Sequence, residues 1–183
     1  MVRFRSAVCL VLTASVAAGL CTGCSRSKFT CSGDNLMGFE GYYYRDGELY
    51  VVLDEDNLDY VIDWYIRGPE EWDGRSKIFV YLGSGDDDDV YVVDPDDIDV
   101  NSSHGQMLVS FEMDRADVGK ITGFYFEVGI SGYTLDLEEG TLDIKRQGGD
   151  CFEYFSQKYD PLKNEWSEAE YDLVVYGPTE VVE

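Results

Sequence analysis

The sequence predicts an all-β protein, an antiparallel β-sandwich of about ten short strands with an immunoglobulin-like or jelly-roll-like topology. Two observations predict this fold. Apolar and polar side chains alternate over five to nine residues in several segments, which is the pattern of a half-buried strand. Turn sequences rich in Gly, Asp and Asn separate these segments at nearly regular intervals, as in sandwiches and barrels.

Three segments carry the alternation most clearly. The run LDYVIDWYI, residues 58–66, predicts a strand that places Trp64 in the core together with Leu58, Tyr60, Ile62 and Ile66. The runs MLVSFEM, residues 107–113, and ITGFYFEV, residues 121–128, predict strands that bury alternate apolar side chains. These buried positions are Met107, Val109, Phe111, Met113, Phe124, Phe126 and Val128.

Other segments predict central strands and hairpins. KIFVYL, residues 77–82, and DLVVY, residues 172–176, are almost entirely apolar or aromatic, as expected of strands buried on both faces. Asp46-Gly47 lies between two strand-like runs and predicts a type I′ hairpin turn. A second hairpin is predicted across Glu139-Gly140, pairing Leu135 and Leu137 with Leu142 and Ile144.

The first 23 residues have the three zones of a secretory signal peptide. Arg3 and Arg5 form a cationic head, an apolar run extends from Ala7 to Leu20, and small residues end it. The apolar run is about fourteen residues long, whereas a bilayer-spanning helix needs about twenty. The segment therefore predicts a cleaved export signal and not a permanent membrane helix.

The end of this signal resembles the lipobox of bacterial lipoproteins, in which small residues precede a lipidated cysteine. Here Thr22 and Gly23 precede Cys24, while Cys21 takes the place of the usual aliphatic residue. The resemblance implies a palmitate-bearing Cys24 as the first mature residue. It also implies an extracytoplasmic protein anchored in the cell membrane or the outer membrane. Residues 24–34 are then a polar tether, and residues 35–183 form a single β domain.

Charge limits the possible partners. The chain has 183 residues, with 14 Lys and Arg against 37 Asp and Glu. Loss of Arg3 and Arg5 with the signal leaves 12 basic residues and a net charge of −25. Such an acidic protein lacks the basic footprint of a nucleic-acid binder. It is also repelled by anionic lipid, so the membrane is reached through the lipid anchor.

Two cysteines remain in the mature domain, Cys31 and Cys151. Disulfides persist in exported proteins, and a bridge here would close a loop of about 120 residues, stabilising the fold by roughly 4 to 5 kcal/mol on the chain-entropy model. We therefore predict a Cys31–Cys151 disulfide. The alternatives are two separate cysteines that act as small hydrophobic residues, or a reduced pair where the compartment lacks an oxidase.

Catalytic motifs are missing from the sequence. His104 is the sole histidine, and it lies between Ser and Gly residues. No nucleophile elbow, P-loop or dinucleotide fingerprint is present. Acidic residues are plentiful enough for paired-carboxylate glycoside hydrolysis, but none stands out from the others. The sequence therefore predicts a protein that is not an enzyme.

The acidic loops suggest a cation site. Asp97, Asp99 and Asn101 match the opening of an EF-hand calcium loop, but Ser102 replaces its glycine and strands flank it. We therefore predict that these loops form a solvated acidic rim and hold no cofactor, with a calcium site of another type at Asp97, Asp99 and Asn101 as the alternative.

Trp72 lies in the polar turn PEEWDG, where it either recognises a ligand or folds over a sheet edge. Together these features predict a non-catalytic binding or structural module of the cell envelope, with a glycan or an envelope protein as partner. The alternative is a small surface carbohydrate-active hydrolase that uses paired carboxylates.

Overall fold

The computed structural model describes residues 29–30, 34–67, 76–83, 89–148 and 151–175, which form a β-sandwich. Its strands are β1 (Phe29–Thr30), β2 (Phe39–Arg45), β3 (Glu48–Asp54), β4 (Lys77–Leu82), β5 (Val90–Val93), β6 (Asp99–Ser103), β7 (Gln106–Glu112), β8 (Ile121–Val128), β9 (Ser131–Asp136), β10 (Thr141–Gly148), β11 (Cys151–Asp160), β12 (Glu165–Trp166) and β13 (Glu170–Val175). Helix α1 (Tyr60–Arg67), a 3₁₀ turn (Pro95–Asp97) and the short helix α2 (Arg115–Val118) connect them. The predicted all-β sandwich is confirmed.

The strands form two antiparallel sheets. The five-stranded sheet has the order β1-β2-β3-β7-β6. The eight-stranded sheet has the order β12-β11-β10-β9-β8-β4-β5, and β13 also pairs with β11. The chain crosses between the sheets after β3, β5 and β7. Residues of the predicted tether contribute to this fold, since β1 pairs with β2.

The core lies between the two sheets. The ring of Phe124, on β8, contacts Tyr42 at 5.5 Å and Phe39 at 6.1 Å between centroids, which joins the two sheets directly. The predicted alternation is confirmed in β7 and β8. Its buried side chains are Met107, Val109, Phe111, Met113, Phe124, Phe126 and Val128.

Both predicted hairpins form. Asp46 and Gly47 have φ angles of 54° and 103°, the left-handed values that a type I′ turn requires at both central positions. Leu135 pairs with Leu142 across the second hairpin. Leu137 differs from the prediction, because it lies in the turn, and Ile144 pairs instead with Tyr133.

The predicted strand at residues 58–66 is wrong, because residues 60–67 form helix α1. Ile62 and Tyr65 are buried, whereas Trp64 is 48% exposed and does not belong to the core. The buried and partly buried positions are Leu58, Val61, Ile62, Tyr65 and Ile66. Their spacing of three, four, seven and eight residues is that of one helix face. Because the segment is so apolar, its sequence fits both the two-residue period of a strand and the 3.6-residue period of a helix. Packing against the rest of the fold selects the helix.

Asp59 fixes this helix to the eight-stranded sheet. Its Oδ1 accepts hydrogen bonds from the Val61 amide and the Tyr133 hydroxyl, both at 2.9 Å. Its Oδ2 accepts from Arg146 Nη1 at 2.7 Å, and Arg146 Nε lies 3.1 Å from Glu153. The Arg146 guanidinium also lies 4.9 Å from the Phe155 ring centroid. One carboxylate thus caps a helix and satisfies a fully buried hydroxyl.

The prediction of a central strand at residues 172–176 is also wrong. Strand β13 covers residues 170–175, and among the described residues it pairs with β11 alone. All six of its side chains are exposed. Apolar composition here marks an open sheet edge and not a buried position.

No helix within the described ranges is long and apolar enough to cross a membrane.

Candidate ligand-binding groove

A groove of about 460 Å³ crosses the outer face of the eight-stranded sheet. Strand register explains its composition, because two rows of paired residues run across the strands with their side chains directed away from the core. One row is Tyr125, Thr134, Asp143, Ser156 and Glu170, and the other is Gly132, Lys145, Tyr154 and Asp172. The volume of the groove falls within the range of small-molecule sites.

Tyr125 forms one wall of the groove by lying across the neighbouring strand. A Cβ atom at Gly132 would lie 2.5 Å from both Cε2 and the hydroxyl oxygen of Tyr125. Only glycine leaves room for the ring there. Phe79 supports the ring from the other side, with 5.6 Å between the two centroids. Burial, followed by the charge of Glu127, raises the pKa of Tyr125, so its hydroxyl stays protonated and can donate a hydrogen bond.

Tyr154 forms the opposite wall. Its ring lies 6.4 Å from that of Phe152, two residues earlier on the same face of β11. Lys145 Nζ lies 4.3 Å above the Phe152 ring, so its charge is held against an aromatic face. The Tyr125 ring lies over β9, and Tyr154 lies on β11, with β10 between them. The two walls are therefore two strand spacings apart, or about 10 Å.

Polar groups occupy the floor between these walls. Thr134 and Ser156 contribute hydroxyls, and the Asp143 carboxylate lies between them in the same row. Partial burial, followed by the charge of Asp136, raises the pKa of Asp143. Ionised Asp143 therefore costs a little stability, because its carboxylate is also largely exposed to solvent.

Replacement of Asp143 by asparagine is expected to raise the melting temperature at pH 7. A carboxyl with a raised folded pKa destabilises the fold above that pKa, and the penalty disappears below the unfolded value of 3.8. The gain should therefore shrink as the pH falls and vanish near pH 3. Asp99→Asn, on the other sheet, controls for the loss of one negative charge from an acidic protein. Equal gains in the two variants at pH 7 would contradict the expectation.

The predicted calcium ligands lie elsewhere. Asp97 belongs to the 3₁₀ turn, and Asp99 and Asn101 are exposed alternate residues of β6. Asp97 and Asp99 line a concavity of about 360 Å³ together with Glu48, Tyr91, Asp96 and Glu112. Asn101 does not line this concavity. Within the part of the chain that the structure describes, no three Asp, Glu, His or Cys residues are grouped closely enough to hold a metal ion. Calcium binding stays an alternative prediction.

Several other predicted residues lie outside the described ranges, namely Cys24, Cys31 and Trp72. Cys151 begins β11 and is partly buried, so its disulfide with Cys31 stays a prediction. His104 is exposed in the β6–β7 turn with a φ of 58°, and its Nδ1 lies 2.6 Å from the Ser103 hydroxyl. It is distant in the fold from the groove, on the other sheet.

No protein-family model, curated protein or solved structure matches this chain. Sequence analysis missed Tyr125 and Tyr154, although a signal for the first existed. The alternation that buries Phe124 and Phe126 directs Tyr125 outward. Gly132 lies on the neighbouring strand, and a glycine beside an outward aromatic residue leaves room for the ring to lie flat on the sheet.

Proposed function

We propose that this protein is a lipid-anchored module of the cell envelope that binds glycans without catalysis. The aromatic-walled groove on the eight-stranded sheet is the observation that carries the proposal. The lipobox-like signal supports an extracytoplasmic location, with Cys24 holding the domain at a membrane surface. A short tether would then present the domain to envelope polymers.

Sugar chemistry fits the walls and the floor of the groove. Tyrosine rings offer apolar faces on which the C–H groups of a sugar ring can pack, while their hydroxyls remain available for hydrogen bonds. Thr134, Asp143 and Ser156 supply the donors and acceptors that hydroxyl-rich ligands require. Walls about 10 Å apart suit a short stretch of polymer lying across the strands.

Charge selects among glycans. Asp143, Glu170 and Asp172 line the groove, whereas its lysine is held over Phe152. Like charges repel in such a site, so uronic-acid and phosphate-rich polymers are disfavoured. The preferred ligands are neutral sugars and amino sugars.

Removal of either wall is expected to weaken glycan binding about tenfold. Loss of one stacking ring costs about 1.4 kcal/mol, which corresponds to that factor. We would titrate the wild-type domain, Tyr125→Ala and Tyr154→Ala with neutral, amino and uronic oligosaccharides and measure Kd by calorimetry. Tyr43→Ala is the matched control, because Tyr43 stacks on Tyr50 at 4.8 Å on the other sheet.

Gly132→Val tests the groove without removing an aromatic group. A side chain at this position must displace the Tyr125 ring, so binding should fall as far as in Tyr125→Ala. Retained binding in both wall variants, or an equal loss in Tyr43→Ala, would contradict the proposed site. A preference for uronic oligosaccharides would contradict the charge selection.

A hydrolase that uses paired carboxylates is the second candidate. Asp143 and Asp136 lie at diagonal positions of β9 and β10, about 7 to 8 Å apart along the sheet, and Asp136 contributes to the raised pKa of Asp143. However, Asp136 Oδ1 accepts the amides of Glu138 and Glu139 at 2.8 Å, which gives it a role in the turn. Release of reducing sugar that disappears in Asp143→Asn would favour the hydrolase over the binding module.

A further inference from the structure

The open edge formed by β13 differs from every other sheet edge in the described parts of the chain. β1 and β12 have two residues each, and β5 has four and is followed by Pro95. β6 is exposed and polar at four of its five positions. β13 has six residues, four of them with large exposed apolar side chains, and it carries neither the proline nor the lysine that usually protect an edge. These are Tyr171 (54% exposed), Leu173 (43%), Val174 (41%) and Val175 (64%).

The two faces of β13 differ in chemistry. Tyr171, Leu173 and Val175 pair with Phe155, Glu153 and Cys151, so they share the face that packs the core in the other strands. Glu170 and Asp172 pair with Ser156 and Tyr154 on the outer face. Val174 pairs with Phe152 and also lies on the outer face. A strand added to this edge would therefore meet apolar side chains on one face, and two carboxylates followed by one valine on the other.

The backbone of β13 has one amide that is directed towards the sheet edge. The Leu173 amide donates to Oδ1 of Asp172 at 2.9 Å, so it is directed away from the ladder with β11. The Asp172 carboxylate covers this amide in the isolated protein. An incoming strand would accept the amide hydrogen bond with its own carbonyl and release the carboxylate to pair with a cation.

We propose that β13 docks an extended segment of another protein in which basic and apolar residues alternate. Charge complementarity identifies this occupant, since Glu170 and Asp172 require cations on one face while Tyr171 and Leu173 require apolar side chains on the other. A second copy of this chain is disfavoured, because each copy has a net charge of −23 over its full length. Strand addition supplies affinity through main-chain bonds and specificity through alternate side chains. Glu170 and Asp172 also line the groove, but the docking uses the edge backbone of β13 and does not require a bound glycan.

The test uses two fluorescein-labelled, end-blocked octapeptides as probes, one alternating lysine with valine and the other alternating glutamate with valine. Fluorescence anisotropy is expected to detect binding of the lysine peptide alone, weakening as salt increases. Leu173→Pro should weaken this binding at least tenfold. It removes the edge amide but no hydrogen bond to β11, and proline is tolerated at edge strands.

A charge-reversal variant tests the same edge independently, so the result does not depend on whether Leu173→Pro folds. Glu170→Lys/Asp172→Lys is expected to exchange the preference, so that it binds the glutamate peptide. Asp99→Lys on the polar edge β6 is the matched control and should keep the preference for lysine. The proposal is overturned if neither peptide binds, if Leu173→Pro binds the lysine peptide as tightly as the wild type, or if the preference does not exchange. It is equally overturned if sedimentation shows that the protein pairs with itself through β13.

Discussion

Replacement of Asp59 by alanine is expected to lower the free energy of unfolding by about 3 kcal/mol. The helix cap contributes about 1 kcal/mol, and the buried Tyr133 hydroxyl is left without its acceptor at a cost of about 1 to 3 kcal/mol. Arg146 also loses one of its two carboxylate partners. The melting temperature should fall by about 10 °C for a domain of this size, as measured by calorimetry.

Asp56→Ala provides the matched control for this change. Asp56 is an exposed residue of the same loop, and its replacement should leave the melting temperature almost unchanged. Tyr133→Phe removes the donor that Asp59 satisfies, so the cost of Asp59→Ala should be smaller in that background. Equal destabilisation by Asp56→Ala and Asp59→Ala would contradict the capping role.

Replacement of Cys24 by serine is expected to abolish lipidation completely. The lipobox-like sequence places the small pair Thr22-Gly23 before Cys24, and a serine oxygen cannot replace the sulfur that carries the lipid. Radiolabelled palmitate should disappear from Cys24→Ser, and the protein should leave the membrane fraction. Cys21→Ser is the matched control and should keep both label and membrane association. The reverse pattern would move the anchor to Cys21.

Short-range patterns predicted the parts of the fold that depend on local chemistry. Asp46-Gly47 forms its hairpin because its two residues tolerate positive φ. The alternation in β7 and β8 holds because a one-residue shift would turn every buried side chain outward. The helix at residues 60–67 could not be distinguished from a strand, because Tyr60, Trp64 and their neighbours are apolar at both periods.

The groove depends on long-range register and could not be predicted from local pattern. Tyr125 and Tyr154 are distant in sequence, and they face each other only because β9 and β10 lie between their strands in the sheet. β13 shows the same limit. Its apolar composition suits either a central or an edge position, and its place is decided by pairing with β11 alone among the described strands.

Chemical-shift mapping tests the central claim, glycan binding in the groove, most directly. Amide resonances of the isotope-labelled mature domain would be followed by NMR during titration with neutral and amino oligosaccharides. We predict shifts concentrated on the outer face of the eight-stranded sheet, at Tyr125, Thr134, Asp143 and Tyr154, with little change at Tyr43 and Tyr50 on the other sheet. Shifts confined to the five-stranded sheet, or no shifts with any oligosaccharide, would contradict the account.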